Sequence, residues 1–353
     1  VVIFGKLSGW SDIDLTSFTS ASGLGFRVIG KSAGEYLGVS VSSGDMNGDG
    51  FADVIIGAHY GDALGRTNCG VARVLFGHSN STPFEDIDLY SYNFTSSTGF
   101  EIIGAESNHK IGTSMTGALD LNSDGCSDVV IGTAGATGVA YVVFGNNTST
   151  SFTSIDLADL TSGAESWGYR IFGLGSIGAI SSAGDVNSDG VDDLMIGSIF
   201  SSYGGRSACG IVYIVFGRKK PYNFVNIAIA TWSTGILGFR VYGTTAGDQF
   251  GNSLSGGVDI NADGIDDMVI GARYADPFGR LTAGTVNVIF GRIHQYCRFN
   301  SDWCATQHTI WQDVDTASIA PSTGFQVFGA MAGDQCGYSV AVCNDFNGDG
   351  FRE

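Results

Sequence analysis

Apolar residues in this chain come in short runs bounded by Gly, Asp, Asn and Ser. Runs such as Val74-Leu75-Phe76, Val139 to Phe144 and Val288-Ile289-Phe290 end on a Phe-Gly dipeptide. Others read Gly25 to Gly30, Gly99 to Gly104, Gly168 to Gly173, Gly238 to Gly243 and Gly324 to Gly329. A third set follows an acidic stretch: Val54-Ile55-Ile56-Gly57, Val129 to Gly132, Leu194 to Gly197 and Met268 to Gly271. A fourth precedes it, as in Leu37 to Val41. Their length and their β-branched and aromatic content predict strands, and no stretch of useful length carries a helical period.

The runs recur as a unit. Phe4-Gly5, Phe76-Gly77, Phe144-Gly145, Phe216-Gly217 and Phe290-Gly291 lie 68 to 74 residues apart. About four strands at this period describe one blade of a β-propeller. A lone four-stranded sheet cannot bury both faces, whereas sheets stacked around an axis can. The predicted class is all-β, with four full repeats (6–77, 78–145, 146–217, 218–291) and a partial one (292–353). Residues 1–5 are read as the closing strand of a preceding repeat. Joining the two ends would give a fifth repeat lacking the equivalent of residues 54–72, so the expectation is one incomplete propeller cut from a longer chain.

The acidic stretch is a nonapeptide present five times. It runs Asp45-Met46-Asn47-Gly48-Asp49-Gly50-Phe51-Ala52-Asp53 in the first copy. Positions 1, 3, 5 and 9 are Asp, Asn, Asp and an acid throughout. In the other copies they are Asp120, Asn122, Asp124 and Asp128; Asp185, Asn187, Asp189 and Asp193; Asp259, Asn261, Asp263 and Asp267; and Asp345, Asn347, Asp349 and Glu353. Calcium takes six to eight oxygens from carboxylates, amides and backbone carbonyls. Alternate side chains converge on one ion if the loop curls, and Gly at position 6 permits the turn. The carbonyl of position 7 (Phe51, Cys126, Val191, Ile265, Phe351) supplies a further oxygen. A single copy reads equally well as an Asp-Gly or Asn-Gly hairpin turn; five copies with the same liganding positions favour the cation. An EF-hand needs an acid at position 12 and flanking helices, but position 12 is Ile56, Ile131, Ile196 or Ile270 inside a strand.

Charge fits this reading. The chain has 17 Lys+Arg against 35 Asp+Glu, a formal net charge of −18, which opposes a nucleic-acid partner. Five bound calcium ions would bring −18 to about −8. No apolar run reaches the roughly 20 residues of a membrane-spanning helix, so no membrane insertion by this segment is expected. With 43% hydrophobic residues the chain can bury a core.

Phe-Gly, the acidic loop and then Ile-Gly-Ala (Ile56-Gly57-Ala58, Ile270-Gly271-Ala272) resemble the FG-GAP repeat. That repeat builds the seven-bladed propeller of integrin α subunits and occurs in similar secreted or surface proteins. The proline of the motif is replaced here by His59, Ala134, Ile199 and Arg273. The resemblance implies that each acidic loop joins the first two strands of a blade and holds structural calcium. It further implies that protein or glycan ligands meet the opposite face, that a partner subunit binds as in integrins, and that the protein is extracellular or on the cell surface. The expected function is a non-enzymatic adhesion or ligand-binding module. Alternatives are an accessory propeller on a secreted phospholipase-like enzyme and a structural component of a surface coat or appendage.

Weaker signals fall around this frame. Gly25 to Ser32 matches a phosphate-loop pattern but starts no helix, and Gly30 to Gly34 matches a nucleophile elbow but has no recurring His or Asp partner. The five His are scattered, and no constellation argues for catalysis. Arg66, Arg206 and Arg280 recur before the third strand, where bracing the loop is preferred to contacting a ligand. Specificity is expected where copies differ, at His59, Tyr60, Tyr203, Tyr274 and Asp276. Cys69 and Cys209 read as small buried residues, Cys336 as a core substitute for Leu37, and Cys297 with Cys304 as a candidate local disulfide. Sequons at Asn80, Asn93, Asn146 and Asn147 favour a glycosylated, secreted chain.

Overall fold

The structure, a computed structural model, describes residues 1–9, 11–79, 82–147, 153–161, 163–293, 311–343, 345–350 and 352. Four antiparallel four-stranded blades follow one another along the chain. The first consists of Leu37–Gly44, Asp53–Ala58, Val71–Leu75 and Gly99–Ile103, each strand paired with the next. The second uses Met115–Leu119, Asp128–Gly132, Val139–Val143 and Gly168–Phe172. The third uses Ile177–Gly184, Asp193–Ser198, Ile211–Val215 and Gly238–Tyr242. The fourth uses Ser253–Val258, Asp267–Ala272, Thr285–Ile289 and Gly324–Phe328. These are the blades of a β-propeller.

The outer strand of each sheet comes after Phe-Gly, not before it. Sheets are therefore offset from the Phe-Gly frame: the strand Gly25–Phe26 pairs with Val2–Ile3 of the preceding unit. Each of the first three blades also borrows two residues from the following blade, from the connection between its third and outer strands. Ile155–Asp156 pairs in parallel with the outer strand of the first blade, Ile227–Ala228 with that of the second, and Val314–Asp315 with that of the third. The borrowed strand covers an edge that would otherwise expose unpaired N–H and C=O groups. The run before the fifth acidic loop, residues 337–343, forms no strand.

Continuous apolar strands are what a sheet buried on both faces requires. In the second blade, Val129, Ile131, Tyr141 and Val143 face the first blade, among Ile55, Val74 and Phe100. Val130, Ala140 and Val142 point the other way, toward Leu194, Ile196 and Tyr213 of the third. The next core lies between the third and fourth blades and includes Ile214, Phe239, Phe250, Met268 and Trp311. The Phe239 ring stacks on Trp311 at 4.1 Å and 12°. Arg73 departs from the apolar pattern: it is buried in the third strand of the first blade and pairs with Glu35 and Glu101, each at 3.1 Å.

Phe239→Ala removes a fully buried ring from this core. The expected loss is about 3–5 kcal/mol of unfolding free energy, measured by denaturant titration. A loss below about 1 kcal/mol would mean that the blades are not packed as described.

Candidate metal centre

Each of the first four acidic loops joins the inner strand of a blade to the second strand, and all five curl by one repeated device. Position 6 is a left-handed glycine in all five copies, from φ 80° at Gly190 to φ 92° at Gly350. Position 4 is left-handed too, although it is Ser123, Ser188 and Ala262 in three copies, at φ 54°, 58° and 58°. Side-chain-bearing residues resist that conformation, and the sequence contains no signal for it beyond the repeat itself.

The curl turns backbone N–H groups inward onto the first carboxylate. Asp45 Oδ1 accepts from Asp49 N at 3.1 Å and Oδ2 from Gly50 N at 2.8 Å. The same pair of bonds recurs at Asp120, Asp185, Asp259 and Asp345. Position 5 accepts from the N–H of position 7 in the first four loops. The position 3 amide oxygen accepts from the position 5 N–H at Asn47, Asn187, Asn261 and Asn347. Phe351 and Glu353 lie outside the described residues.

Position 9 is held differently. Asp53, Asp128, Asp193 and Asp267 are fully buried. One oxygen of each accepts from the position 2 N–H of its own loop: Met46, Leu121, Val186 and Ile260, at 2.8 to 3.1 Å. The other accepts from the glycine of the Phe-Gly that ends the third strand: Gly77, Gly145, Gly217 and Gly291, at 2.8 or 2.9 Å. Burial pushes Asp53 and Asp267 up to about 6, against the N–H bonds that favour the charged form. Asp128 and Asp193 are raised further by the same cause, with positions 1 and 5 of the loop adding like-charge repulsion.

Among the described residues, no three His, Cys, Asp or Glu side chains converge as an ion cage would require. The oxygens are turned to the loop's own amides instead. The donor set nevertheless fits a hard cation. An ionised carboxylate offers about four lone-pair sites, and the bonds above use only part of them. Both side-chain polar atoms of Asn122, at position 3 of the second loop, are buried without a hydrogen-bond partner. An orphaned amide oxygen beside buried, mutually repelling carboxylates is chemistry that a divalent ion relieves.

The other candidate residues fall into place by contacts. Arg66 Nη1 donates to Ala105 O and pairs with Asp156; Arg206 donates to Thr244 O and grips Asp315 with two bonds; Arg280 donates to Ala330 O. All three brace the loop against the turn after the outer strand. His59 and Tyr60 follow the second strand at the end remote from the acidic loop, about 20 Å along six residues. Tyr36, His59 and Tyr60 cluster with ring centroids 4.4 to 5.5 Å apart, and Lys110 lies over Tyr60. Arg273 sits over Tyr274 and Tyr338, and Tyr203 stacks on Tyr242. Asp276 accepts from Thr282 N, which ties it to its own loop.

Cys69 and Cys209 are buried free thiols, whereas Cys336 is only half-buried, like Leu37, and is no core residue. Cys297, Cys304 and Asn80 lie outside the described residues; Asn93, Asn146 and Asn147 are exposed. Gly25 to Ser32 forms two short strands and a turn, and Lys31 N donates to Glu35, so no phosphate cradle forms there.

In the four clamped copies, Gly77, Gly145, Gly217 and Gly291, the glycine of Phe-Gly has no room for a methyl group. A Cβ on Gly217 would lie 2.2 Å from Asp192 O, 2.6 Å from Val191 Cγ1 and 3.0 Å from Leu121 O of the preceding blade. Gly217→Ala is expected to destabilise the fold by more than about 2 kcal/mol in a denaturant titration. A neutral result would show that the strand end is not clamped to the loop.

The FG-GAP repeat signature matches residues 37–75 and 250–289, which in both cases run from the inner-strand region through the acidic loop to the third strand. Over 252 residues the chain is 30% identical to integrin alpha-V of Gallus gallus, covering 68% of this chain and 20% of the relative. It is 29% identical over 259 residues to integrin alpha-PS2 of Drosophila melanogaster, 68% of this chain and 15% of the relative. It is also 28% identical over 231 residues to a phosphatidylinositol-glycan-specific phospholipase D of Dictyostelium discoideum, 62% of this chain and 23% of the relative. The matched regions thus span about a quarter or less of these curated relatives. Among the described residues no helix is long and apolar enough to cross a membrane. Blade architecture, loop position and these likenesses agree: the chain is an FG-GAP repeat protein that resembles the β-propeller of integrin α subunits.

Proposed function

We propose that residues 1–353 form part of a single calcium-stabilised propeller that acts outside the cell as an adhesion or ligand-binding module. The observation that carries this reading is the recurrence of one hydrogen-bonded nonapeptide in which a fully buried carboxylate closes the loop in each of the four blades. Calcium would be held by positions 1, 3, 5 and 9 with the carbonyl of position 7, and its role is structural: it neutralises carboxylates that burial disfavours and pins the hairpin to the third strand. Protein or glycan ligands would meet the opposite ends of the strands, where His59, Tyr60, Tyr203 and Tyr274 stand. A partner subunit there is the integrin-like form of this reading. Likeness to a phospholipase D supports a second one, in which the propeller accompanies a hydrolase domain carried elsewhere in the chain. Both assign the propeller to binding and not to catalysis.

Calcium removal tests the common core of both. At free calcium about a hundredfold above Kd, each site adds roughly 2.7 kcal/mol to stability. Excess chelator is therefore expected to lower the melting temperature of the chain, and an unchanged melting temperature would sink the proposal.

Protons and calcium compete for the same carboxylates. Asp53 and Asp267 titrate near 6 in the fold and near 3.9 when unfolded. Their contribution to stability is present in full below the unfolded value and is lost as pH rises through about 6. Calcium takes the deprotonated form, so its stabilising increment grows across the same window. Its effect on melting temperature is expected to be larger at about pH 7.5 than at about pH 5. Equal increments at the two pH values would place the ion on other ligands.

A further inference from the structure

Position 8 of the acidic loop has no place in the ligand set, and its residue varies: Ala52, Ser127, Asp192, Asp266, Arg352. Its side chain nevertheless makes the same contact to the preceding loop wherever it carries an acceptor, at Ser127, Asp192 and Asp266. Ser127 Oγ accepts from Asp45 N at 3.0 Å, Asp192 Oδ2 from Asp120 N at 2.8 Å, and Asp266 Oδ2 from Asp185 N at 3.0 Å. In each case the donor is position 1 of the loop in the preceding blade. In the first pair the contact is reciprocal, since Ser127 N donates to Asp45 O at 2.8 Å.

A second bond crosses the same interface. The residue after Phe-Gly donates its N–H to the position 2 carbonyl of the preceding loop: Asn146 to Met46, Arg218 to Leu121 and Arg292 to Val186, at 2.8 to 2.9 Å. Positions 1 and 2 of each of these loops are thus held by the following blade, while positions 5, 6 and 9 are held from within. The position 2 side chains Met46, Leu121 and Val186 are buried among the residues of the joint.

Resting on the calcium reading above, we propose that the position 8 residue is a positioning residue for the cation site of the preceding blade. Each such site is then assembled from two blades. The backbone N–H of position 1 is fixed by the neighbour, and with it the direction of the first carboxylate. An ion in one loop favours the blade-to-blade contact, and the contact favours the ion, because each orders the same residue. Asp192 is the clearest case. It reaches Asp120 across the interface, and its own loop closes through Asp193 without it.

Calcium titration calorimetry on the whole chain tests this with Asp192→Ala and Asp192→Asn, the second of which keeps an acceptor oxygen. Asp192→Ala is expected to weaken one site by about 3- to 10-fold, the worth of one hydrogen bond, and Asp192→Asn to restore most of the affinity. In an Asp124→Ala background, which disables the 120–128 loop, Asp192→Ala should leave the remaining isotherm unchanged. In an Asp189→Ala background, which disables the 185–193 loop, its effect should persist. The reverse pattern would show that Asp192 serves its own loop and would overturn the inference. So would a wild-type isotherm that Asp192→Ala does not alter. A wild-type chain that takes up no calcium would instead overturn the cation reading beneath it.

Discussion

The carboxylate at position 9 joins the two features that make the repeat recognisable. One oxygen closes the acidic loop on its own second residue, and the other takes the N–H of the glycine at the end of the third strand. A strand end and a hairpin loop that are 24 residues apart in sequence become one buried unit. The cost of burying that carboxylate is large enough to raise its pKa even with two N–H donors in place. Elsewhere in the loop, donors at positions 5 and 6 are turned onto the first carboxylate.

From this unit the geometry extends outward in two directions. Within a blade, the clamp sets the register of the second strand against the third, so that the apolar side chains alternate between the two neighbouring cores. Between blades, the backbone just after the clamped glycine reaches the preceding loop. At Gly145, Gly217 and Gly291 the same glycine lies against carbonyl oxygens from both its own loop and the preceding one, which leaves no volume for a side chain. Phe-Gly is therefore a packing requirement at a three-way joint, with its aromatic partner in the core and its glycine against the loops.

The opposite ends of the strands follow another logic. There the loops differ between copies, carry aromatic and cationic side chains, and are braced by the recurring Arg66, Arg206 and Arg280. A rigid scaffold that presents variable loops is the usual way in which repeat folds vary their partners without altering the core.

Much of this was written in the chain. Short β-branched runs at a fixed period dictate strands and blades, because a sheet buried on both faces needs apolar residues at every position. Five copies of Asp, Asn, Asp and an acid around a glycine mark the loop as the chemical centre, since spacing alone places those oxygens on one tight turn. What the sequence could not contain is anything that depends on which surfaces meet. The outer strand of each blade lies beyond Phe-Gly, and the borrowed two-residue strand comes from the following blade; hydrogen-bonding partners so far apart leave no local pattern. Only the fold brings position 9 to Gly217 and position 8 to the neighbouring loop, because both contacts are made by residues that local periodicity treats as ordinary turn positions.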